Sequence, residues 1–235
     1  MPKVEAPKDP VIKAIPEPTL RRLPLYYQYL KKIRDEKKSD FISCTQIGNA
    51  LSILPIQVRK DLGVTDAVGK PKLGYSIDVI IAIIEDFLGW NNTKDAYLVG
   101  VGHLGTALLG FERFKEYGLN IIAAFDIDRE KVGSTIHGVK VFHIGKLDNM
   151  VKRMGIKIGI LTVPSAPAQD LTNEMVHAGI EAIWNFSPVK VAVPPDIIVQ
   201  HENLASSLVV LSKKLTLART TQSQDGVNNG NDKKI

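Results

Sequence analysis

Three glycines and one aspartate carry the first chemical signal in this 235-residue chain. Gly100, Gly102 and Gly105 stand at the spacing G-x-G-x-x-G, and Asp126 follows 21 residues after the last of them. In such a loop the first glycine permits a tight turn and the second lets backbone approach a pyrophosphate. The third lets a helix pack closely on a strand. A helix opening there aims free N–H groups and the positive end of its dipole at the phosphates. An acidic group about 20 residues further on meets the hydroxyls of the adenosine ribose and repels the extra phosphate of NADP. Asp126 therefore favours NAD(H), with Asp128 a nearby competitor for the same role. His103 and Leu104, inside the loop, complete the expected cofactor-binding stretch.

These residues need a strand before the loop, a helix after it and a second strand ending at the aspartate. Tyr97, Leu98, Val99 and Val101 form a short apolar run suited to a buried parallel strand, and Thr106 to Leu109 continue as helix. Leu119 to Phe125 is a second apolar run that stops at Asp126. Further on, the pattern predicts strand at Val139–Phe142, helix at Leu147–Met154, strand at Ile156–Val163, helix at Ala166–Ala178 and strand at Ile180–Asn185. Val189 to Val199 reads as extended chain interrupted by prolines. Alternation of this kind implies an α/β fold, a Rossmann-like doubly wound parallel sheet that binds ligands at the carboxyl ends of its strands. Thr162, Val163, Pro164 and Asn185 fall at such ends and join the expected site.

Composition narrows the class. Hydrophobic residues make up 44% of the chain, enough for a core, and the formal net charge of +5 is compatible with a nucleic-acid partner without proving one. The single cysteine, Cys44, excludes an intramolecular disulfide and a cysteine-rich zinc site. Met1 to Glu5 does not read as a signal peptide, and no apolar run reaches the ~20 residues that span a bilayer, so a cytoplasmic protein is expected. His103, His137, His143, His177 and His201 are scattered without an evident acid/base partner. No catalytic residue and no metal site are expected. An NAD-dependent dehydrogenase would need a substrate domain, which the 126 residues after Leu109 (235 − 109) do not leave room for.

Residues 1–18 hold five prolines and read as a flexible arm. From Thr19, apolar residues at Leu20, Leu23, Tyr27, Leu30 and Ile33 recur at helical spacing, with Pro24 either kinking the helix or lying in its first turn. Ser43 is placed to cap a short helix, and Pro55 to Leu62 forms a second after a brief turn, a helix-turn-helix arrangement. Gln57, Arg59 and Lys60 lie on its outer side, where they suit base and phosphate contacts. A solvated face of an ordinary three-helix bundle fits the same pattern. Gly69 to Gly74 looks like a hairpin tip carrying Lys70 and Lys72, a wing toward DNA or a solvated loop. Asp78 is expected to cap a helix over Val79–Leu88, which completes a winged-helix order for residues 19–90. The nucleotide domain spans 91–202. Leu204, Leu208, Leu211 and Leu215 then form an apolar stripe on a helix at 203–218 whose partner is either another subunit or its own domain. Residues 219–235 are expected to be disordered.

Gln57-Val58-Arg59-Lys60-Asp61-Leu62, Gly69-Lys70 with Gly74-Tyr75, Val99 to Gly105, Phe125-Asp126-Ile127-Asp128 and Asn185-Phe186-Ser187-Pro188-Val189 together resemble, in order and spacing, the bacterial Rex family of redox-sensing repressors. The resemblance covers about residues 15–218. It implies a homodimer that binds a palindromic double-stranded DNA operator through two winged helices, with NAD(H) as the sensed cofactor. It also implies a C-terminal helix exchanged between subunits and release from DNA on binding NADH. Several positions depart from the family pattern. Pro71-Lys72-Leu73 replaces the middle of the wing, Phe111 stands for a tyrosine of the switch, and Asn203 stands for an aspartate of the switch. Leu204 also replaces a common aromatic residue. The expectation is a repressor whose DNA and NAD(H) binding persist with a weakened or altered redox response. An NAD-dependent dehydrogenase and a CoA-binding protein are the alternatives.

Overall fold

The structure is a computed structural model that describes residues 15–228, with backbone alone at 204 and 218–228. Packing divides the chain after Asn92 into two units. In the first unit, α1 (Glu17–Asp35) buries Leu23, Tyr26, Tyr27 and Leu30, a stripe at i, i+3, i+4 and i+7. Glu17 and Pro18, expected in the arm, belong to this helix. A proline in the first turn has no N–H to satisfy, and an acidic residue there complements the helix dipole. Pro24 lies inside the helix without ending it. Residues 1–14 of the expected arm lie outside the described residues.

A short strand β1 (Phe41–Ile42) leads into α2 (Cys44–Leu51), where Ser43 and Gln46 close a reciprocal capping box. Ser52, in the left-handed region, turns the chain into α3 (Pro55–Val64). β2 (Tyr75–Ser76) pairs antiparallel with β1 and runs directly into α4 (Ile77–Phe87). The expected hairpin tip at 69–74 is present, closed by reciprocal Lys70–Gly74 backbone bonds, but the strand that follows it, β2, pairs with β1 from before α2. The 70–74 loop is closed on itself by an isolated bridge between Lys70 and Gly74, with Lys72 at φ +64° and Gly74 at φ +89°. A Cβ on Gly74 would run into the Ile42 carbonyl, so ribbon and loop both require glycine there. α4 begins two residues before the predicted Val79. Ser76 occupies its cap position and Asp78 lies in the first turn, where its charge favours the helix N-terminus.

The second unit starts with β3 (Lys94–Val99), α5 (His103–Leu109), a 3-10 turn over Glu112–Tyr117 and β4 (Leu119–Asp126). It continues through β5 (Thr135–Ile136), β6 (Val139–His143), α6 (Leu147–Met154), β7 (Ile158–Leu161), α7 (Ser165–Ala178), β8 (Ala182–Asn185), β9 (Ile198–His201) and α8 (Leu204–Asn228). The sheet order is β5-β6-β4-β3-β7-β8-β9, parallel throughout except for the β5–β6 pair. The chain goes outward from β3 in both directions, so β3 is the point where strand order reverses. Alternation along β3 splits the core between the faces: Tyr97 and Val99 pack with Phe125, Leu147 and Met175, while Ala96 and Leu98 pack with Leu109, Ala124 and Ile160. Along α8, Leu208, Leu211 and Leu215 are all more than half exposed. The helical backbone continues past the expected end at residue 218 to Asn228, so residues 219–228, expected in the disordered tail, are helical instead: each added residue contributes a hydrogen bond to an existing helix. Residues 229–235 of the expected disordered tail lie outside the described residues.

Candidate nucleotide crevice and nucleic-acid surface

Register builds the crevice. Val99 pairs with Phe125 on one side and Leu161 on the other, so the three strands end level with one another. Gly100 N–H donates to the Phe125 carbonyl at 2.8 Å and Thr162 N–H to that of Val99 at 2.9 Å. Gly100 adopts φ +100°, a conformation that strains any side-chain-bearing residue. A Cβ on Gly105 would overlap the Gly100 carbonyl, which makes this glycine the condition for α5 to sit on β3. A Cβ on Gly102 would meet nothing within 4 Å, so the backbone there is open to a ligand. The Thr162 hydroxyl donates to the Gly100 carbonyl at 2.6 Å and locks the loop to the end of β7.

Asp126 closes the arrangement. Its Oδ2 accepts the Val101 N–H at 2.7 Å and its Oδ1 accepts the Asp128 N–H at 2.9 Å. Lys131 Nζ lies 3.7 Å from the Asp126 carboxylate and 3.2 Å from that of Asp128. A carboxylate offers about four lone-pair sites, so Asp126 keeps capacity for ribose hydroxyls after both backbone bonds. Backbone and Lys131 together hold the Asp128 carboxyl below the ordinary carboxylate range.

The crevice has a volume of about 490 Å³, and Gly100, Gly102, Asp126, Thr162, Val163 and Pro164 all line it. His103 and Leu104 open α5 beside it, and Gly105 packs behind the loop without lining it. Asn185 is fully buried and is not part of the lining. Its amide nitrogen donates to the Val189 carbonyl and faces His201 Nδ1, both at 2.9 Å, and its oxygen accepts the Ser187 N–H at 2.8 Å. The lining also includes Ile127, Lys131, Ile144, Pro167, Asp170, Leu171 and Glu174, none of which was expected to have a role. Four of the seven had a signal in α7: residues 167, 170, 171 and 174 repeat at i, i+3, i+4 and i+7 just after a strand end.

In the first unit, Arg59 and Lys60 are exposed on α3, while Gln57 is half-buried and its amide donates to Asp61 at 2.9 Å. Lys70 and Lys72 are exposed on the loop, with Lys70 Nζ 5.5 Å from the centre of the Phe41 ring. Asp61, quoted in the Gln57–Leu62 motif but given no role by it, is 1% exposed and accepts from Thr19 (2.9 Å), Arg22 (2.6 and 2.9 Å) and Tyr26 (2.7 Å) as well as Gln57. Burial alone would raise its pKa; the donors, Arg22 foremost, outweigh burial and lower it to about 2. Burial, followed by the Asp61 bond and charge, pushes the Tyr26 phenol up. This network ties α3 to α1 and fixes how α3 presents its outer face.

Phe111 is 45% exposed and meets the Phe114 ring edge-on at 4.8 Å. Asn203 Oδ1 accepts the N–H groups of Ala205 (3.0 Å) and Ser206 (3.2 Å), so it caps α8. Among the described residues, no three His, Cys, Asp or Glu side chains converge as metal ligands, and no helix is long and apolar enough to cross a membrane.

Comparison with known proteins joins the two units. Residues 91–189 match the family described as "CoA binding domain", and residues 14–63 match "Putative DNA-binding protein N-terminus". The chain is 50% identical over 194 residues to the redox-sensing transcriptional repressor Rex of Treponema denticola, covering 83% of this chain and 92% of the relative. It is similar to the crystal structure of RSP, a Rex-family repressor, in complex with β-NAD+ and operator DNA. The TM-score is 0.81 at 29% identity, covering 91% of this chain and 98% of that one. With RSP in complex with β-NADH the TM-score is 0.80 at 30% identity, covering 89% and 98%. On this identity and coverage, the chain belongs to the Rex family of redox-sensing transcriptional repressors.

Proposed function

We propose that this chain binds an operator as a homodimer, reads the NADH/NAD ratio through its nucleotide crevice and leaves DNA when NADH is bound. The observation that carries the reading is the meeting of Gly100, Gly102, Asp126 and Thr162–Pro164 at the point of strand reversal. Gly100, Gly102 and the start of α5 at His103 and Leu104 would hold the pyrophosphate, with Gly105 allowing the close helix. Asp126 would hold the adenosine ribose, which favours NAD(H) over coenzyme A, whose ribose carries a phosphate. Asn185 shapes the neighbouring 185–189 turn and acts by positioning it. Bound there, the dinucleotide supplies a redox state to be read, and no hydride transfer is required; the protein is a regulator and not an enzyme.

Residues 19–90 serve as the winged-helix DNA-binding domain, 91–202 as the NAD(H) domain and 203–218 as the helix exchanged between copies. Gln57, Arg59 and Lys60 face a major groove, and Lys70 and Lys72 meet the backbone or minor groove of a palindromic site. Such a repressor works in the cytoplasm, beside its operator. A ligand shifts an equilibrium only by its differential affinity for the two states. Phe111 lacks a hydroxyl and Asn203 lacks a charge, so this chain weights the two states by a smaller margin than a tyrosine and aspartate pair. Titrating the purified protein against operator DNA with NADH and with NAD+ tests the reading. Operator binding weakened modestly by NADH supports it; no operator binding, or indifference of the protein to both nucleotides, overturns it.

A further inference from the structure

Phe111 and Asn203, the two positions proposed for the switch, stand far apart in sequence, yet a continuous row of side chains in the second unit runs between them. Phe111 meets Phe114 edge-on at 4.8 Å, and Phe114 meets the Trp184 ring of β8 edge-on at 5.6 Å. Trp184 also leans on Phe186 at 4.7 Å. Trp184, Phe186 and Leu108 all pack on the core that buries Leu109, the last residue of α5. At the other end of the row the Trp184 indole N–H donates to the Glu202 carboxylate at 3.2 Å. Glu202 immediately precedes Asn203, and its backbone N–H donates to the Asn185 carbonyl at 2.9 Å. The entry to α8 is thus held to β8 twice, once by backbone and once by the indole. Any residue at 202 can make the first bond, whereas the second needs this pair of side chains. Phenylalanine at 184 would serve packing alone; the indole donor is what adds the start of α8 to the row.

We infer that Trp184 is a positioning residue of the redox response, carrying a displacement of α5 to the start of α8 through Phe114 on one side and Glu202 on the other. The inference rests on the proposed function, in which Phe111 and Asn203 form the switch. α5 opens at the glycine loop, so a dinucleotide bearing on its first turn also moves its last, where Leu108 and Leu109 press on the aromatic row. Edge-on ring pairs have a preferred geometry and do not slide freely past one another. The indole has a single donor, so Trp184 either keeps Glu202 or gives it up. Two discrete arrangements of this bond are what a coupling between the two ends requires.

The test titrates operator DNA without nucleotide, with NADH and with NAD+. The proteins are the full-length wild type, Trp184→Phe, Glu202→Ala, Glu202→Gln and the double variant Trp184→Phe/Glu202→Ala. Trp184→Phe keeps a ring against Phe114 and Phe186 and removes only the donor, while Glu202→Gln keeps an acceptor oxygen. The ratio of operator Kd with NADH to that with NAD+ should fall toward one in Trp184→Phe and in Glu202→Ala, and Glu202→Gln should retain most of it. The double variant should fall no further than either single change, because both act through one bond. Operator affinity without nucleotide and calorimetric NADH affinity should stay within about threefold of wild type, which separates transmission from folding and from binding. The indole N–H resonance of Trp184, assigned with Trp90→Phe, should shift when NADH replaces NAD+. A ratio left unchanged by both Trp184→Phe and Glu202→Ala, or an indole resonance indifferent to the nucleotide, overturns the inference while a wild-type response to NADH upholds the proposed function. A wild type whose operator binding NADH does not alter overturns that function, and the inference with it. If Trp184→Phe fails to fold, Glu202→Ala and its rescue by Glu202→Gln decide the matter.

Discussion

The Asp126 carboxylate accepts the backbone N–H of Val101 at 2.7 Å, so the residue that ends β4 also holds the middle of the glycine loop. Val101 lies between Gly100 and Gly102, the two glycines whose freedom opens the backbone to a ligand. On the proposed reading one side chain would have two tasks: facing a ribose, and keeping in place the loop that would face the phosphates. Thr162 secures the same loop from the other side through the Gly100 carbonyl.

Asp126→Ala should consequently cost more than a ribose contact. Two charge-assisted bonds to backbone, each about 1.5–3 kcal/mol, disappear together with the hydroxyl acceptor. We expect NADH affinity to fall more than tenfold and exchange of the Val101 amide hydrogen to accelerate. Calorimetry and hydrogen exchange read the two effects separately. Unchanged affinity would remove Asp126 from the ribose, and unchanged exchange would show that the loop stands without it.

Arg59→Ala and Lys60→Ala should each weaken operator binding. Both side chains are exposed on α3 and belong to no ion pair among the described residues. If the side chain meets a phosphate of duplex DNA, its removal lowers the slope of log affinity against log salt by about one unit. If it meets a guanine, removal instead relaxes sequence preference at one operator position. Fluorescence titrations over a salt series distinguish the two, and a variant with unchanged affinity and slope would lie outside the interface.

Asp61→Asn should destabilise the first unit without touching DNA directly. The Asp61 carboxyl is depressed to about 2 in the folded protein, against ~3.9 for an unperturbed aspartate. A depressed carboxyl stabilises the fold fully above the unfolded value and loses that contribution as pH falls through the folded one. The wild type should therefore exceed the variant by about 2 kcal/mol near neutral pH. The gap should close as pH falls from about 4 toward 2. Denaturant unfolding at several pH values checks this; a gap independent of pH would mean that shape, and not charge, is what Asp61 supplies.

Much of this organisation is legible in the sequence because it is local. The glycine spacing, the apolar runs of β3 and β4 and the limits of α6 at Leu147 and Met154 all follow from neighbours within a few residues. What is not legible depends on distant partners. Asp61 reads as one more polar residue of a basic helix, and only α1, some 40 residues earlier, buries it and gives it donors. The strand partner of β2 is equally remote, because β1 lies on the far side of α2 and α3. Ser76 hides the start of α4 because it ends β2 and occupies the helix N-cap position at once. Asp170 and Glu174 are exposed residues of α7, and only the folded sheet puts them on one crevice with Ile127 and Ile144.

The exposed stripe on α8 carries its own prediction. Leu208, Leu211 and Leu215 are 65%, 64% and 52% exposed, a pattern that a lone chain leaves in water at a cost of about 1.5–3 kcal/mol per side chain relative to full burial. Replacing Leu208 and Leu211 together by glutamate should convert a dimer to a monomer in light scattering, with the Rossmann unit still folded by circular dichroism. A dimer that survives the double change would place the subunit contact elsewhere.

The two positions proposed for the switch, Phe111 and Asn203, can be separated by chemistry. Asn203 already caps α8 through Ala205 and Ser206, and an aspartate makes the same two bonds while adding a charge that the helix N-terminus favours. Asn203→Asp should leave the cap intact, whereas Asn203→Ala should cost about 1 kcal/mol of helix stability. Phe111 is 45% exposed, so Phe111→Tyr can add its hydroxyl without burying an unsatisfied group. If these two side chains limit the redox response, the double variant Phe111→Tyr/Asn203→Asp should widen the difference in operator affinity between NADH and NAD+ by about tenfold, equivalent to 1.4 kcal/mol of added preference for one state. Each single change should widen it less than the pair does, because a hydroxyl and a carboxylate that act on one another contribute through their coupling. Operator titrations with both nucleotides on all four proteins give that coupling directly. A wild type that already responds as strongly as the double variant would show that transmission runs through other residues.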